Sequence, residues 1–285
     1  MAFRASLYSF HLENGRVDKM SLAEYLSYVL FFPIMQVGPI TRPDVFQKSF
    51  RTKDFNNFPL LFCIERIVFG LVKYQFVASV FEQTSFNGLF HSGFQNHWID
   101  ILYAGASYYL YIYFNFSGFC DIAIGLCGLV GIAADENFNR PFLARNIQDF
   151  WTRWHITLSG YMREVMFTPL NLVLVRTLGL KFVDVAMVIT ILISFTLIGV
   201  WHGKEEQFLI FGLIQSAGVT INYFYGKMLK KTLGSKGYKA YMKNRLIRAI
   251  AIVITFLFLS LSFFYFATSE TQRTSILNEN IVKPK

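Results

Sequence analysis

Long uncharged apolar segments alternate along this chain with short polar ones. Residues 101–120, 207–225 and 249–267 contain no charged side chain, and residues 182–201 contain only Asp184. A helix needs about 20 mostly apolar residues to cross the hydrocarbon layer of a bilayer, which is about 30 Å thick. We therefore expect four membrane-spanning helices at these positions.

Three further apolar segments are short or interrupted, and we expect broken or partial spans there. Irregular backbone persists at membrane depth only where other protein or a water-filled cavity covers it. The interruptions in FFPIMQVGPITRP (31–43) and NFSGFCD (115–121) therefore predict a cavity within the helical bundle. The three segments are residues 22–41, 58–81 and 122–134, and together with the four spans they form one polytopic membrane domain over residues 1–285.

Residues 146–164 follow the 3.6-residue period of an amphipathic helix, and Asn146 is its expected N-cap. Trp151 and His155 lie four residues apart on one face, and Trp154 lies on the adjoining stripe. This face predicts a half-buried His155. From spacing alone, a core histidine that is hydrogen-bonded to backbone carbonyls or hydroxyls is the favoured interpretation.

The composition supports a membrane location. Hydrophobic residues make up 54% of the chain, charged residues make up 16%, and the mean hydropathy is +0.39. Soluble domains carry about 25% charged residues. Aromatic residues make up 18%, which is more than a soluble core of this length requires. The composition therefore disfavours a soluble single domain.

The net charge of +9 comes from basic residues that lie between the apolar segments. This pattern is typical of membrane topology, and we expect no nucleic-acid partner. Residues 226–248 contain eight basic residues and no acidic one. The positive-inside rule places this loop in the cytoplasm, so that residues 199–206 lie in the outer half of the membrane. The loop can also attract an acidic carrier protein or anionic lipid headgroups, but topology is the favoured interpretation.

Two of the five histidines lie in demanding surroundings. His202 follows Trp201 at the end of an otherwise uncharged span, where an ionisable side chain usually faces a cavity or a functional path. An interfacial Trp–His pair at the membrane boundary is the alternative. A neutral imidazole can remove a proton from a hydroxyl near neutral pH, so His202 and His155 fit acyl transfer to a hydroxyl. The remaining histidines lie in polar connecting stretches and receive no role: His11, His91 and His97.

Several other chemistries lack their signatures. Neither G-x-S-x-G nor H-E-x-x-H surrounds the histidines, so a serine hydrolase or a zinc protease is not supported. Cys63, Cys120 and Cys127 have no metal-ligand spacing, and we expect no metal or redox cofactor. Asp121 follows an uncharged run of 20 residues. Because buried charges are normally paired, we expect Asp121 to hydrogen-bond a facing helix or to shape the cavity, with the structural role favoured.

At these residues the sequence resembles the membrane-bound O-acyltransferase superfamily, in its bacterial branch of alginate O-acetylation and lipoteichoic acid D-alanylation proteins. Four stretches carry the resemblance in order, and the third is long and specific. They are FFPIMQVGPITRPDVF at 31–46, FNFSGFCDIAIGLCGLVGI at 114–132, ENFNRPFLARNIQDFWTRWHITLSGYMREVMFTPL at 136–170, and WHG at 201–203 followed by FLIFGLIQS. Within the third stretch, Glu164 and Met166 depart from the residues that relatives often have.

The resemblance implies an all-α integral protein of the cell membrane. Its architecture would be a multi-span bundle of the family's type, with broken and amphipathic helices around a central funnel. His202 matches the family's catalytic histidine, and His155 matches its second characteristic histidine. The cavity-lining or supporting residues would then be Trp201, Trp151, Trp154 and Asp121.

The resemblance also implies a reaction. An acyl thioester on coenzyme A or on a carrier protein approaches from the cytoplasm as a substrate, and no bound cofactor is implied. The acceptor hydroxyl lies outside, on a cell-envelope polysaccharide, a teichoic acid or a partner acyltransferase. We expect His202 to activate this hydroxyl as a general base and His155 to hold or polarise the thioester. The acyl group is left open between acetyl, D-alanyl and longer chains.

Two alternatives to an enzyme stay open. Members of this superfamily are longer than this chain, and MAFRASLYSFHLENGRV resembles an internal stretch of theirs. We therefore expect the N-terminal helices to be missing, through truncation, a misplaced start codon or a shortened variant that borrows helices from a neighbour. A non-catalytic remnant or scaffold is one alternative. A transporter is the other, but it predicts paired internal repeats, which the sequence lacks.

Overall fold

The computed structural model describes residues 1–35, 37–52, 55, 58–86 and 98–282. Within these residues the backbone is mostly helical and forms no β-strand, only one isolated antiparallel bridge. π-helical turns over Val72–Val77 and Met162–Phe167 join neighbouring α-helices. The all-α prediction is confirmed. The α-helices are Ala2–Glu13 (α1), Leu22–Val29 (α2), Pro43–Thr52 (α3), Leu60–Leu71 (α4), Ala78–Gln83 (α5), Trp98–Leu129 (α6), Ile147–Trp151 (α7), Ile156–Tyr161 (α8), Thr168–Leu178 (α9), Val183–His202 (α10), Glu206–Lys243 (α11), Arg245–Ala267 (α12) and Glu270–Val282 (α13).

Four helical segments of the described chain are long and apolar enough to cross a membrane. Each contains one of the four uncharged or nearly uncharged spans predicted from the sequence. The protein is therefore a multi-pass integral membrane protein, as expected. The four segments are Ile99–Leu129, Leu180–His202, Glu206–Lys243 and Arg245–Ala267.

Local sequence signals explain where several helices begin and turn. At α2, the Ser21 hydroxyl accepts a bond from the Glu24 N–H while the Glu24 carboxylate accepts one from the Ser21 N–H, a capping box. At α12, the Asn244 side chain accepts bonds from two first-turn N–H groups at 2.9 and 3.1 Å. Within α11, Gly234 has a φ of 62°. Glycine adopts this conformation without steric cost, and the chain reverses there.

The helices belong to two compact units. The first comprises Met1–Ser79, Ile112–Asn139 and Thr152–Met166. The second comprises Val80–Tyr111, Arg140–Trp151 and Phe167–Lys285. Of the histidines singled out from the sequence, His155 lies in the first unit and His202 in the second.

In the first unit, the predicted break within residues 22–41 is confirmed. After α2, a short 3₁₀ turn covers Phe32–Ile34 and irregular backbone leads to α3. The buried guanidinium of Arg4 donates to the carbonyls of Tyr28 at 2.8 Å and Ile34 at 3.2 Å. A side chain from α1 thus satisfies carbonyls that a broken helix leaves without intrahelical partners.

The predicted break at residues 115–121 is wrong. Segments 101–120 and 122–134, predicted as separate, share the continuous helix α6, which ends at Leu129. Gly118 serves close packing, because a Cβ atom there would lie 2.7 Å from the carbonyl oxygen of Gly70 on α4. Small residues allow two membrane helices to approach this closely.

The amphipathic helix predicted over residues 146–164 is wrong as a continuous element. α7 and α8 are separated by residues 152–155, whose backbone leaves the helical path and pairs with residues 137–139. His155 itself has a positive φ of 44°, so one helical period does not run through both halves. The N-cap prediction is confirmed, because the Asn146 side chain accepts a first-turn N–H at 2.8 Å.

In the second unit, α10 and α11 pack through glycines. A Cβ atom at Gly212 would lie 2.5 Å from the carbonyl oxygen of Phe195, and one at Gly199 would clash with the carbonyl oxygen of Phe208. This contact fixes the end of α10, and therefore His202, against the start of α11.

Candidate functional site

His155 occupies a strained position in the loop before α8, in the first unit. Its φ and ψ of 44° and 51° are left-handed, which costs a residue with a side chain about 1–2 kcal/mol. Such strain persists only where the surroundings hold it in place. Two backbone bonds of 2.9 Å do so, from the Asn139 N–H to the Arg153 carbonyl and from the Ile156 N–H to the Asn137 carbonyl.

The side chain of Asn137 organises the atoms around this loop. It is almost completely buried, and its Oδ1 lies 3.1 Å from His155 Nδ1. The same oxygen accepts bonds from the Thr157 N–H at 3.2 Å and the Thr157 hydroxyl at 2.8 Å. Its Nδ2 donates to Cys120 Sγ at 3.4 Å. One amide therefore joins α6, the segment that carries Asn137, and the start of α8.

These bonds determine which nitrogen of His155 carries hydrogen. A backbone N–H can only donate, so the Asn137 atom that faces the Thr157 N–H must be the oxygen. His155 Nδ1 faces that same oxygen and must donate to it. In the neutral imidazole the lone pair is then on Nε2.

Thr157 extends the connection to a more distant part of the chain. Its hydroxyl accepts a bond from the Ile40 N–H at 2.9 Å while donating to Asn137. Ile40 lies in the irregular segment after α2. The irregular backbone at Ile40 is therefore hydrogen-bonded to the start of α8, next to His155.

Aromatic rings surround His155 in the first unit. Phe116 on α6 contacts the imidazole edge-on with ring centroids 4.7 Å apart. Trp154 is buried, and its ring lies 5.0 Å from that of Phe138. His155 itself is half-buried, which confirms the predicted burial.

Asp121 lies on α6 in a cluster of four charges. Its carboxylate accepts bonds from Arg66 Nε at 2.7 Å and from Lys73 Nζ at 2.6 Å. Arg66 also forms a bidentate pair with Glu136 at 2.6 and 2.7 Å. This arrangement agrees with the favoured structural interpretation of Asp121. Because Glu136 directly precedes Asn137, the cluster also anchors the segment that holds His155.

His202 is the last residue of α10, in the second unit. Its ring contacts Trp201 edge-on at 4.8 Å and Phe266 edge-on at 5.1 Å, and Phe208 lies 6.2 Å away. Both His202 and Trp201 are exposed in the chain. Within the described part of the protein, no hydrogen bond to the His202 ring is found. The imidazole is therefore oriented by aromatic contacts, and no described residue occupies its nitrogens through a hydrogen bond.

Trp151, also in the second unit, is anchored by a buried amide. Its indole Nε1 donates to Gln215 Oε1 at 3.2 Å, and Gln215 Nε2 donates to the Ser262 hydroxyl at 2.9 Å. Phe195 on α10 packs against the indole at 5.3 Å. These contacts tie α7 to α11 and α12.

Three buried polar residues of the two units were missed or misread in the sequence. Asn137 and Gln215 are amides in apolar surroundings, and their buried hydrogen bonds could be suspected only from that context. His11 was predicted to lie in a polar connection, but it is buried in α1 with Nε2 3.3 Å from Glu164 Oε2. Arg16 also pairs with Glu164, so Glu164, which departs from the resembled pattern, has two cationic or hydrogen-bonding partners.

The first unit therefore contains His155, Trp154 and Asp121, and the second contains His202, Trp201 and Trp151. Convergence of the two histidines on one funnel stays a prediction. His91 and His97 lie outside the described residues. Among the described His, Cys, Asp and Glu side chains, no group of three lies close enough to hold a metal ion.

Comparison with known proteins adds an independent finding. The profile of MBOAT, the membrane-bound O-acyltransferase family, matches residues 5–264. This range covers most of the chain and includes both histidines.

Several curated proteins are similar to the chain. The teichoic acid D-alanyltransferase of Bacillus subtilis (strain 168) is 32% identical over 88% of this chain and 62% of its own length. That of Streptococcus thermophilus is 29% identical over 94% and 66%. The peptidoglycan O-acetyltransferase of Helicobacter pylori is 31% identical over 90% and 46%. The chain thus spans about half to two thirds of the length of these relatives.

Proposed function

The chain belongs to the membrane-bound O-acyltransferase family, and from this premise we propose that it transfers an acyl group from a cytoplasmic thioester to a hydroxyl of a cell-envelope polymer or partner protein. The relatives above are named for transfer to teichoic acid and peptidoglycan. Those names support an envelope polymer as the acceptor class. The donor is a thioester of coenzyme A or of a carrier protein.

In the proposed reaction, the neutral imidazole of His202 accepts the proton of the acceptor hydroxyl while the hydroxyl oxygen attacks the thioester carbonyl carbon. The tetrahedral intermediate then collapses, and the C–S bond breaks. The proton passes from the imidazolium to the leaving thiolate. The products are an ester and a free thiol, and His202 returns to its neutral form.

The exposed ring of His202 is the observation that carries this role. Its orientation is fixed by Trp201 and Phe266, while its nitrogens have no hydrogen-bond partner among the described residues. A general base must reach the proton that it removes. An oriented imidazole that is not occupied by an internal hydrogen bond meets that requirement.

His155 has a different part in the proposal. With Nδ1–H donated to Asn137, the neutral ring presents a lone pair at Nε2. In this form His155 holds the acyl donor by accepting a hydrogen bond from it. It polarises the thioester carbonyl only as an imidazolium, whose Nε2 carries a proton. The first role requires a lone pair at Nε2 and the second requires a proton there, so the two roles make opposite demands on the protonation of His155.

The test is transfer of label from an acyl thioester in membranes that contain the full chain. His202→Ala should lower the transfer rate by a factor of about 10²–10⁴, the usual contribution of a general base. Lys204→Ala, an exposed change two residues further on, should retain activity. Both variants are first checked for equal membrane insertion.

Undiminished transfer in His202→Ala would remove this histidine from the mechanism. If the unchanged protein transferred no acyl group from either donor type to any of the acceptor polymers, the non-catalytic alternative would be supported instead.

A further inference from the structure

The basic loop 226–248 folds into a helical hairpin within the second unit. After its internal kink, α11 packs back on itself, and the hydroxyls of Tyr225 and Tyr241 meet at 2.7 Å. Lys230 Nζ lies over the Tyr238 ring, 5.4 Å from its centre. Membrane topology requires only that this loop be basic. It does not require the basic side chains to be arranged around a folded hairpin.

The hairpin and residues 145–148 together line a partly open cavity of about 270 Å³. Basic and phenolic side chains line it, among them Arg145, Lys230, Arg248, Tyr238 and Tyr241, and no acidic residue is among the described residues of the lining. The volume is several times the roughly 30 Å³ that one water occupies in the liquid. The cavity is therefore large enough for a phosphate group and the atoms attached to it.

Three cations at this cavity have no acidic partner among the described residues. Lys227, which also borders it, is neutralised by Asp184 at 2.5 Å. By contrast, Arg145, Lys230 and Arg248 form no ion pair with any residue that the structure describes. Like charges around one concavity repel each other, so an anion bound among them would relieve an unfavourable interaction.

An apolar strip begins beside the same cavity. Leu246, Ile250 and Ile254 recur at every fourth position of α12, and their exposed fractions are 69%, 51% and 61%. α12 is one of the helices long and apolar enough to cross a membrane, so these side chains suit contact with acyl chains. Arg248, in the first turns of the same helix, lines the cavity. An anionic head and an apolar tail are thus accommodated next to each other.

We propose that this cavity binds the phosphate of an anionic glycerophospholipid, whose acyl chains lie along the strip on α12. Guanidinium groups match phosphate oxygens with paired hydrogen bonds, which assigns Arg145 and Arg248 to the phosphate. Lys230 adds charge, and the Tyr238 hydroxyl adds a donor. Binding at this cavity is independent of acyl transfer.

The experiment measures phosphatidylglycerol bound to the full chain by native mass spectrometry, after titration in a neutral detergent. The variant is Lys230→Gln with Arg248→Gln. The matched control is Lys236→Gln with Lys239→Gln, which removes the same charge from the same loop at exposed positions outside the cavity lining. Thermal unfolding in lipid-free detergent checks that both proteins are folded. Inorganic phosphate and an acidic carrier protein serve as competing ligands.

We expect the cavity variant to bind phosphatidylglycerol about 25-fold more weakly, a factor of about five for each basic side chain lost, since a basic residue near an anionic surface contributes about 1 kcal/mol. The control should change by less than about twofold on the same scale. If both variants bound phosphatidylglycerol more weakly to the same extent, binding would depend on the total charge of the loop and not on the cavity. That result would overturn the proposal. Displacement of the lipid by millimolar phosphate would indicate a free-anion site, and displacement by the carrier protein would indicate a protein-docking surface; either would overturn it.

Discussion

Asn137 Oδ1 accepts the hydrogen of His155 Nδ1 at 3.1 Å while the same oxygen accepts two bonds from Thr157. A single buried amide therefore sets the tautomer of a candidate functional histidine and fixes the beginning of α8. The stability of the fold and the tautomer of the His155 imidazole therefore both depend on this one residue. Substitutions at Asn137 should change both together.

The first prediction concerns Asn137→Leu, which keeps the branching and the number of heavy atoms of the side chain but removes the acceptor. The Thr157 N–H and hydroxyl and the His155 Nδ1–H lose their partner, and a buried unsatisfied polar group costs about 1–3 kcal/mol. We expect a lower temperature of thermal unfolding and reduced acyl transfer. Asn137→Asp keeps an acceptor oxygen and adds a negative charge beside His155, which favours the imidazolium.

Asn137→Asp therefore distinguishes a positioning role from a merely structural one. The pH profile of transfer should shift to higher pH in this variant, because the neighbouring carboxylate raises the pKa of His155. An unshifted profile with normal stability would show that Asn137 does not act through the imidazole.

A second prediction follows from the left-handed backbone of His155. His155→Gly and His155→Ala both lose the bond to Asn137, but only glycine adopts a φ of 44° without strain. We expect the glycine variant to be more stable than the alanine variant by about 0.5–1 kcal/mol. This difference is the backbone strain that glycine relieves, reduced by the extra conformational entropy that glycine loses on folding. Thermal unfolding in detergent ranks the two.

The matched comparison uses Ser159, which lies inside α8. Ser159→Gly should be less stable than Ser159→Ala by about 0.5–1 kcal/mol, because glycine weakens a helix interior. If the glycine variant were less stable than the alanine variant at both positions, the result would contradict a strained backbone at His155.

Packing between α4 and α6 gives a third prediction. Gly118→Ala should destabilise the protein by about 1–3 kcal/mol, because its Cβ would approach the Gly70 carbonyl oxygen to 2.7 Å and force the backbone to shift. The Cβ atom of Gly160→Ala on α8 would meet no atom of the described residues within 4 Å. This variant should be neutral or slightly stabilising. If the two variants lost the same amount of folded protein, the result would argue against the close approach of α4 and α6.

The features that could be predicted from the sequence depend on local composition. The four spans are long apolar runs, and a helix in lipid must satisfy its own backbone whatever surrounds it. The broken segment after α2 was also predictable, since proline removes an N–H donor and clashes with a continuing helix. In contrast, Gly118 looked like a helix breaker because its role depends on Gly70, which lies far away in the sequence.

The loop that carries His155 could not be predicted for the same reason. Hydrophobic periodicity continues through residues 146–164, yet the backbone of residues 152–155 bonds to residues 137–139. Such pairing leaves no periodic signal. The identity of His155 and His202 as candidates came from their surroundings and from the resemblance, whereas the bonds of Asn137 became visible only in three dimensions.

A fourth prediction tests the charge cluster on α6. Asp121→Asn leaves Lys73 without its anion, and loss of one partner from a largely buried pair costs about 3 kcal/mol, the lower end of the usual range because Lys73 is partly exposed. Adding Lys73→Met should recover much of the loss. The four proteins form a double-mutant cycle, and additive losses would show that the two side chains do not interact.

The last prediction concerns the pH dependence of stability at His11. Burial lowers the pKa of His11 from its ordinary value of about 6.5, and the Asp44 charge only partly opposes this effect. Its Nδ1 has no hydrogen-bond partner in the described part of the chain, while Nε2 faces Glu164. The unfolded chain therefore binds a proton more readily than the folded one. The contribution of neutral His11 to the free energy of unfolding is therefore fully present above about pH 6.5. It decreases as the pH falls below that value.

His11→Gln keeps an N–H donor for Glu164 but does not titrate, so it isolates the effect. The unchanged protein should lose more stability than the variant between about pH 7.5 and about pH 5.5, the range in which an ordinary imidazole gains its proton. Thermal unfolding at several pH values in a neutral detergent measures the difference. If instead the unchanged protein became relatively more stable on acidification, attraction between a protonated His11 and Glu164 would outweigh the cost of burying the charge.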